Sequence, residues 1–467
     1  NFFQKIDYIR KARIGVMFGS HHDVFVTKEM TEAEIIRIET EPDLFLALQQ
    51  GKCDVIFADF TNFLVAQSQY PEMVEVPSDF PADFYGVGFH KENRDLQAKF
   101  NAFLKEIRES GLYQEIYDRW IFHGTESEMP AIEIPTNGDP LCVAVPGSLY
   151  PFSFMKNQDL VGFDIELMLR FAQKMQRPVD FQMIGFGSLI ASLQSGKSDI
   201  ISAAMCITEE RQKMVLFSDP YFETRIVVAT IPQGASRAVD ERSFWQSLKD
   251  SFTSNLLVEK RYLLILEGLQ TTVVISIFSI LLGTLLGALV CFMRMHKSLW
   301  CRIVASSYIS LMRGMPVLVL LMLMFYVFLA ELPVDGVQVA IITFALNFSA
   351  YVSEMFRTAI EGVDRGQTEA GIALGFTPSQ TFYHIVMPQA IKNVMPVYKG
   401  ETISLIKMTS IVGYIAVEDL TKMSDIIRSR TFDAFFPLIM VAILYFILAW
   451  IFGKALDMLN PKHQPES

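Results

Sequence analysis

A chain of 467 residues is long enough for two or three domains, and 51% of its residues are hydrophobic. The formal net charge of −11 argues against a nucleic-acid partner. The cysteines show no paired or CxxC spacing, so they support neither a disulfide framework nor a zinc site: Cys53, Cys142, Cys206, Cys291 and Cys301. Charged residues crowd the first half and long apolar runs fill the second, which predicts a soluble part followed by a membrane part.

The chain begins at Asn1 with neither a Met nor a charged-then-apolar leader. Two expectations follow: either a signal peptide has been removed, or further sequence lies upstream.

The first half repeats one pattern of strands and helices. Residues 12–82 contain a strand at ARIGVMFGS, a helix at EPDLFLALQQGK and a strand at CDVIFADF. Residues 138–232 show the same order, and LIASLQSGKSDIIS at 189–202 echoes LFLALQQGKCDVIFA at 44–58. The repetition predicts two related α/β lobes.

Residues 233–262 read as a polar tether followed by an amphipathic helix. Phe244, Trp245, Leu248 and Phe252 fall at helical spacing, which predicts a helix lying on the outer membrane surface. A linker helix packed on the sheet domain is the alternative.

The second half contains five apolar runs long enough to cross a bilayer as helices. They cover about 265–293, 303–330, 336–356, 394–417 and 434–454. Gly283 and Gly287 form a GxxxG pair in the first run, which suits close helix packing.

Basic residues predict the orientation of these spans. The connection after the first span carries Arg294, His296, Lys297 and Arg302, and 361–393 carries Arg365, His384 and Lys392, so both are expected in the cytoplasm. The acidic connection ELPVDG then lies outside, together with the N-terminal half. Within the spans, Glu354 and Arg357 are expected to form a structural ion pair, whereas Glu401 and Lys407 either line a pathway or brace a subunit contact.

Residues 361–397 form a polar, glycine-punctuated segment between two of these spans. The pattern predicts a helix from Gln367 to Leu374, a turn at Gly375 and a second helix beginning near Thr377 and Pro378. A two-helix hook of this kind presents one helix to a soluble partner.

The hook resembles the EAA coupling loop of bacterial ABC-importer permeases. The matching residues are Glu369, Ala370, Gly371, Gly375 and Pro388, with Gly371 in place of the usual second Ala and Met387 in place of Leu. Residues 265–455 are similar to polar amino-acid permeases of the histidine/glutamine class in YISLMRGMPVLVL, LNFSAYVSEMFRTAIEGV and ISLIKMTS. The resemblance implies two copies of a separate ATPase, a second permease subunit (the same or a related chain) and the bacterial inner membrane.

The soluble half looks like the two-lobed clamshell of type II periplasmic amino-acid-binding proteins, with its pieces in permuted or truncated order. On this resemblance 1–83 is lobe two, 84–125 the closing part of lobe one and 138–232 its front. A linker with its interfacial helix follows at 233–262, and an all-α permease domain occupies 263–456. We expect the pieces present to assemble into one clamshell.

A zwitterionic amino acid needs a cationic and an anionic partner in its binding site, and the planar fork of Arg suits a carboxylate. By resemblance, Arg211 binds the ligand carboxylate and Asp59 the ammonium. Gly19 and Ser20 meet the carboxylate from the opposite lobe, where a helix start with free amides suits an anion. Thr208, Ala204 and Cys206 complete the predicted site, although Thr208 is equally a helix cap for Arg211. Leu149, Pro146 and Cys206 depart from the family pattern, which weakens any prediction of ligand specificity.

The sequence predicts a transport subunit and not an enzyme. SGKSD at 195–199 is not a phosphate-binding loop, because Ala191 replaces the required Gly, and no catalytic grouping stands out. We therefore expect no cofactor and no metal, with ATP hydrolysis on a partner chain. A ligand-gated channel of the glutamate-receptor type is the alternative, since that class shares the clamshell; it is disfavoured because the spans here follow both lobes.

Overall fold

A computed structural model describes residues 9, 11–77, 80, 82–123, 127–232, 244–330, 332–431, 433 and 435–459. The chain divides into two compact units. The first, the receptor unit, comprises Asn1–Ile265 and Met423–Ile439, and the second, the membrane unit, comprises Leu266–Lys422 and Met440–Ser467.

The described residues of the receptor unit form fourteen strands. They are β1 Arg13–Met17, β2 Glu34–Ile38, β3 Val55–Asp59, β4 Val74–Val76, β5 Ala82–Tyr85, β6 Gly88–Phe89, β7 Leu141–Val145, β8 Ser148–Leu149, β9 Ser153–Lys156, β10 Asp159–Val161, β11 Val179–Met183, β12 Ile200–Ile201, β13 Leu216–Phe217 and β14 Phe222–Thr230. Its helices before the membrane unit are α1 His21–Glu29, α2 Glu41–Gln49, α3 Phe60–Gln69, α4 Arg94–Glu109, α5 Leu112–Tyr117, α6 Phe163–Met175, α7 Leu189–Gln194, α8 Glu209–Gln212 and α9 Phe244–Phe252.

The first sheet has the order β2-β1-β3-β14-β4, with β5 paired to β14. Strand β3 is buried almost throughout because the sheet is covered on both faces. Val55 and Phe57 pack with α1 on one side, whereas Ile56 and Ala58 pack with α2 and α3 on the other. Such a run of apolar residues, without alternation, is typical of a central parallel strand.

The second sheet has the order β11-β7-β12-β6-β13, and a small antiparallel sheet of β8, β9 and β10 lies beside it in sequence. Strands β11, β7 and β12 run parallel, while β6 is antiparallel to both β12 and β13. Strand β6 comes from the segment predicted to close lobe one, so that segment shares a sheet with β7 and β12.

Two adjacent connections join the sheets. Strand β5 of the first sheet leads into β6 of the second, and β13 of the second leads into β14 of the first; Tyr85 pairs with Phe222 where the two connections run side by side. A side chain at Gly86 would come within 2.8 Å of Ile207 and 2.9 Å of Phe217, so this crossing requires a residue without a Cβ.

Strand β14 corrects one predicted boundary. The prediction gave all of 138–232 to one lobe, but Phe222–Thr230 lies in the sheet formed by the first residues of the chain. The alternating pattern identified a strand here, but pattern alone does not indicate which of two sheets a strand joins.

A buried carboxylate ties the closing segment to helix α6, which lies in the predicted front of lobe one. Glu166 on α6 is fully buried and accepts hydrogen bonds from Arg119 at 2.6 and 2.7 Å and from the Trp120 indole at 2.7 Å. Arg170 adds a third donor at 3.2 Å. Charge-assisted bonds of this kind offset the cost of burying the carboxylate.

The membrane unit and its connection back to the receptor unit contain nine helices in the described residues. They are α10 Tyr262–Met295, α11 Leu299–Gly314, α12 Val317–Leu323, α13 Gly336–Glu361, α14 Arg365–Ala373, α15 Pro378–Thr381, α16 Met387–Met408, α17 Leu420–Thr431 and α18 Phe435–Leu459.

The predicted count of five spans is not confirmed. Among the described residues, α10, α13 and α18 are long and apolar enough to cross a membrane, and a fourth span results if α11 and the following helix count together. That pair bends by 106° near Pro316, so 303–330 is not one straight helix. The span predicted at 394–417 ends as an α-helix at Met408 and continues as a 3₁₀ turn over Thr409–Ile415.

The predicted glycine face of the first span packs closely. A Cβ at Gly283 would lie 2.9 Å from Phe348, and one at Gly287 would lie 2.7 Å from Val352. Helices α10 and α13 therefore approach closely because these two residues lack side chains.

The structure describes only the second part of the predicted tether. Residues 233–243, the first part of the polar stretch, lie outside the described residues. In α9, Trp245, Leu248 and Phe252 are exposed, with Trp245 at 74%.

Glu166→Gln should destabilise the receptor unit by about 3 kcal/mol. This is the low end of the range for breaking a buried ion pair, because Arg119 keeps some access to water. Urea unfolding of the purified chain, followed by tryptophan fluorescence, measures the loss. Glu106→Gln is the matched control, since Glu106 joins the same two segments through an exposed pair with Lys174 and should change stability by less than about 0.5 kcal/mol. Equal losses in the two variants would contradict the assigned role.

Candidate functional site

Arg211 lies between the two sheets of the receptor unit. Thr208 caps α8 and accepts a hydrogen bond from the Arg211 backbone N–H at 3.2 Å, as the sequence predicted. The guanidinium donates to the carbonyl of Cys206 at 3.0 Å and to the carbonyl of Gly19 at 3.1 Å. Because Gly19 follows β1 and Cys206 follows β12, this single cation contacts both lobes.

Asp59 ends β3 and faces the same region. Burial raises the pKa of its carboxyl group to about 6, opposed by a hydrogen bond from Tyr85 and by the charges of His21 and Arg211. Its Oδ1 lies 3.7 Å from His22 Nε2 and has no hydrogen-bond partner. A buried carboxylate oxygen without a donor is suited to an incoming cationic group.

The polar groups of the other predicted residues already hold local structure. The Gly19 amide donates to the Asp23 carboxylate at 3.2 Å, and the Ser20 hydroxyl oxygen accepts from the Asp23 amide at 3.2 Å. The Ala204 amide donates to Asp164 at 3.0 Å. The structure thus brings Arg211, Gly19 and Cys206 together, with Asp59 in electrostatic range, but it leaves the Gly19 and Ala204 amides engaged.

Several ionisable residues near Asp59 were not predicted from the sequence as part of the site. Burial lowers the pKa of His21 and of His22 to about 4 and raises that of Asp83 to about 6. Burial also raises the pKa of Glu41 to about 8, with the charge of Asp59 adding to the shift. The His21–His22 doublet directly after Ser20 was the available signal, because it follows the loop already assigned to the ligand.

Phe186 supplies an aromatic ring that the sequence did not assign. The Arg211 guanidinium carbon lies 5.6 Å from the centre of this ring. Cation–π contact of this kind holds the guanidinium plane in place.

The hook in the membrane unit has the predicted geometry. Helix α14 ends at Ala373, Gly375 adopts a φ of +89°, and α15 begins at Pro378 after a Thr377 cap. Gln380 completes a reciprocal capping box with Thr377. These local signals explain why the segment was recognisable from sequence.

Gly371 is buried against the second helix of the hook. A Cβ here would lie 2.6 Å from Thr381 and 2.8 Å from Ile385, so the glycine that replaces the usual Ala permits this close packing. Glu369, Ala370 and Pro388 are exposed. Leu374 is 77% exposed and Ile372 52% exposed, which leaves apolar surface at the tip of the hook.

Glu401 and Lys407 line different cavities of the membrane unit. Glu401 borders a cavity of about 490 Å³ together with Arg313 and Tyr351. Lys407 borders one of about 700 Å³ together with Tyr445 and Trp450. The structure therefore does not place the two residues in one cavity. Glu354 and Arg357 form the expected ion pair at 2.7 Å.

A basic pair on α17 contacts both lobes of the receptor unit. Arg428 pairs with Asp43 at the start of α2, and the Arg430 guanidinium carbon lies 4.5 Å from the ring centre of Phe154 on β9. Arg430 also pairs with Glu259 at 3.2 Å. Residues between the last two predicted spans thus belong to the same unit as the two sheets.

Comparison with known proteins identifies relatives of both halves. The model for bacterial extracellular solute-binding proteins, family 3, matches residues 25–123 and 141–396. A putative glutamine transport system permease protein, GlnP, of Rickettsia typhi is 32% identical over 204 residues, which cover 43% of this chain and 94% of the relative. A probable amino-acid ABC transporter permease protein, YckA, of Bacillus subtilis is 33% identical over 213 residues, with 45% and 94% covered. The crystal structure of an amino acid ABC transporter with histidines is 33% identical, covers 47% of this chain and 98% of its own, and has a TM-score of 0.40.

Glu41→Gln should stabilise the receptor unit more at about pH 8 than at about pH 5. The pKa of Glu41 is raised in the folded state, so between the unfolded value near 4.5 and about 8 the folded state binds the extra proton. Stability therefore falls as pH rises through this window, by at most about 1.4 kcal/mol per pH unit. Gln keeps the oxygen that accepts from Asn62 at 2.6 Å and removes the titration.

Urea unfolding of the wild-type protein and of Glu41→Gln, between about pH 5 and about pH 8, measures this change in stability. Glu109→Gln, an exposed acid on α4, controls for the change in net charge. A stabilisation by Glu41→Gln that is equal at both pH values would contradict the assigned burial.

Proposed function

We propose a function from one premise: the chain belongs to the bacterial extracellular solute-binding proteins of family 3, and part of it is a permease of the amino-acid ABC transporter family. It is a membrane-embedded transport subunit and not an enzyme. Permeases of this family work with ATPase subunits. The relatives reported above give no support to the ion-channel alternative.

The proposed cargo is a polar α-amino acid or a related small zwitterion. Relatives named for glutamine, cystine and arginine transport support this class. The observation that carries the proposal is the buried Arg211 guanidinium between the two lobes, with the unpartnered Asp59 oxygen in electrostatic range. Arg211 would bind the ligand carboxylate and Asp59 its ammonium. Gly19, Ser20, Ala204, Thr208 and Cys206 would shape the site around them.

We assign one lobe to 1–83 with Phe222–Thr230 and the other to 84–125 with 138–221. Closure of the two lobes on the ligand would use the paired crossings as a hinge, because these connections are the continuous backbone between the sheets in the receptor unit. Arg211 donates hydrogen bonds to the carbonyls of Gly19 and Cys206, one from each lobe. These contacts favour a ligand site between the lobes, beside Arg211.

We propose that the receptor unit faces the outside of a bacterial inner membrane, while the hook at 361–393 faces the cytoplasm. The basic connections support this orientation. The grouping of Met423–Ile439 with the N-terminal half adds independent support, since that connection is outside in the same topology.

The proposed working unit contains two permease subunits, the same chain or a relative, and two ATPases. The exposed Leu374 and Ile372 would enter a groove of the ATPase beside Glu369 and Ala370, and Gly375 and Pro388 would set the angle of the hook. Movement of the hook on ATP binding would reach the spans through α16, which also carries Glu401 and Lys407 as proposed pathway residues.

Arg211→Met should lower ligand affinity by at least about 30-fold, since losing one partner of a buried, hydrogen-bonded charge pair costs about 2 kcal/mol or more. Asp59→Asn should act in the same direction. Calorimetry of the detergent-purified chain against the twenty standard amino acids identifies the ligand, and the tightest binder is then used with each variant.

Arg177→Met is the matched control, because Arg177 forms an exposed pair with Asp139 at 3.0 Å on the same lobe. Wild-type affinity in Arg211→Met and Asp59→Asn would dismiss the assigned ligand site.

Leu374→Asp should reduce ligand-stimulated ATP hydrolysis and uptake about tenfold while leaving ligand affinity unchanged. The charge would face an apolar groove of the ATPase, and burial of an unpaired charge is strongly unfavourable. Reconstitution with the partner ATPase in vesicles measures both rates. Leu332→Asp changes another exposed leucine, in the connection proposed to lie outside, and should leave both rates unchanged. Full stimulation in Leu374→Asp would contradict the docking role of the hook.

A further inference from the structure

Three potential metal ligands from separate elements converge in the receptor unit. His21 begins α1, Asp83 lies on β5 and Cys206 follows β12. One ligand atom from each lies within 4.8 Å of the others. His21 belongs to the lobe built on the first sheet, and Cys206 belongs to the lobe built on the second sheet. Asp83 lies on β5, which leads into one of the two crossings between them.

The polar atoms of this cluster lack the partners that buried groups normally have. His21 Nε2 lies 3.2 Å from Asp83 Oδ2, but Oδ2 makes no hydrogen bond, and neither does His21 Nδ1. Cys206 is only 6% exposed, and Tyr85, two residues from Asp83, forms an isolated β-bridge with it. A nitrogen, a carboxylate oxygen and a sulfur thus lie close together, and two of the cluster's buried atoms, His21 Nδ1 and Asp83 Oδ2, make no hydrogen bond.

We propose that His21, Asp83 and Cys206 bind a transition-metal ion of the Zn²⁺ class. Imidazole, carboxylate and thiolate are all zinc ligands, whereas Mg²⁺ and Ca²⁺ prefer sets made only of oxygen atoms. Ligand atoms around a tetrahedral zinc ion stand about 3.5 Å apart, so binding requires the most widely separated pair to approach by no more than about 1 Å. Three protein ligands leave a fourth position for water or for a donor atom of the small-molecule ligand.

The reaction balances without any further reagent. The Cys206 S–H bond breaks, its proton passes to solvent, and a bond forms between sulfur and the metal, with no change of oxidation state. The dication then meets two anionic ligands, the thiolate and the carboxylate, so the charges cancel within the buried site.

The location of the cluster gives the metal a mechanical consequence. An ion held by His21 and Cys206 would link the same two segments that Arg211 contacts through Gly19 and Cys206. Metal binding would therefore restrain the lobes against each other at the hinge. This inference rests on the cluster itself and not on the identity of the transported ligand.

The test is titration of the tag-free, chelator-treated full chain with Co²⁺ and Zn²⁺. We expect one equivalent of Co²⁺ to produce the absorption of a thiolate–cobalt bond, Zn²⁺ to displace it, and one proton to be released for each Zn²⁺ bound. Cys206→Ser should abolish the cobalt–thiolate absorption and weaken Zn²⁺ binding by more than about 100-fold. His21→Gln and Asp83→Asn should also weaken Zn²⁺ binding.

Cys142→Ser is the matched control, because Cys142 is another thiol of the receptor unit, on β7, and should leave cobalt binding intact. Absence of the thiolate absorption in the folded wild-type chain, or its persistence in Cys206→Ser, would overturn the proposal. Amino-acid binding measured with chelator present separates the two hypotheses: if it is intact while metal binding is absent, only the metal site falls. Arg211→Met should lose amino-acid binding and retain cobalt binding.

Discussion

The paired crossing of β5 and β14 is the constraint on which the receptor unit depends. These strands form the continuous backbone link between two sheets, and Gly86 lets the first of them pass Ile207 and Phe217 without a clash. Three residues of interest are placed relative to this link: Asp59 ends the strand beside β14, Asp83 lies on β5, and Cys206 bridges to Tyr85. A shift of register between β5 and β14 would therefore move several site groups at once.

Arg211 is a buried cation with uncharged backbone partners at this junction. Two backbone carbonyls, one from each lobe, partly replace its hydration, and Phe186 lies against its plane. Carbonyl partners satisfy donors without neutralising the charge, so the guanidinium keeps its attraction for an anion. In contrast, Glu166 accepts hydrogen bonds from two arginines and an indole. The positive charges of the arginines neutralise the carboxylate, and the contacts with Arg119 and Trp120 join α6 to the closing segment. The two groups are both buried, and what differs between them is the charge of their partners.

Sequence patterns recovered the features whose causes are local. The hook was predictable because its helix cap, its positive-φ glycine and its proline all occur within residues 364–378. The sheets were predictable because β3 and β7 are runs of apolar residues. The assignment of Phe222–Thr230 failed because pairing with β3 depends on residues far away in the chain. The span predicted at 394–417 is not confirmed as one regular helix, because its α-helix ends at Met408 and a 3₁₀ helix follows over Thr409–Ile415.

The side chains that cluster near Asp59 could not be predicted from the sequence for a related reason. His21, Asp83 and Cys206 are separated by long stretches of sequence, so no spacing motif joins them, and cysteine counting tests only for neighbouring thiols. Only the return of β14 beside β5 and the loop after β12 brings them together. A chain that folds two lobes through two crossings brings such distant residues together beside the crossings. Under the proposed closure of the lobes, a ligand bound beside the two crossings would act on that closure directly, whichever of its donor atoms the lobes bind.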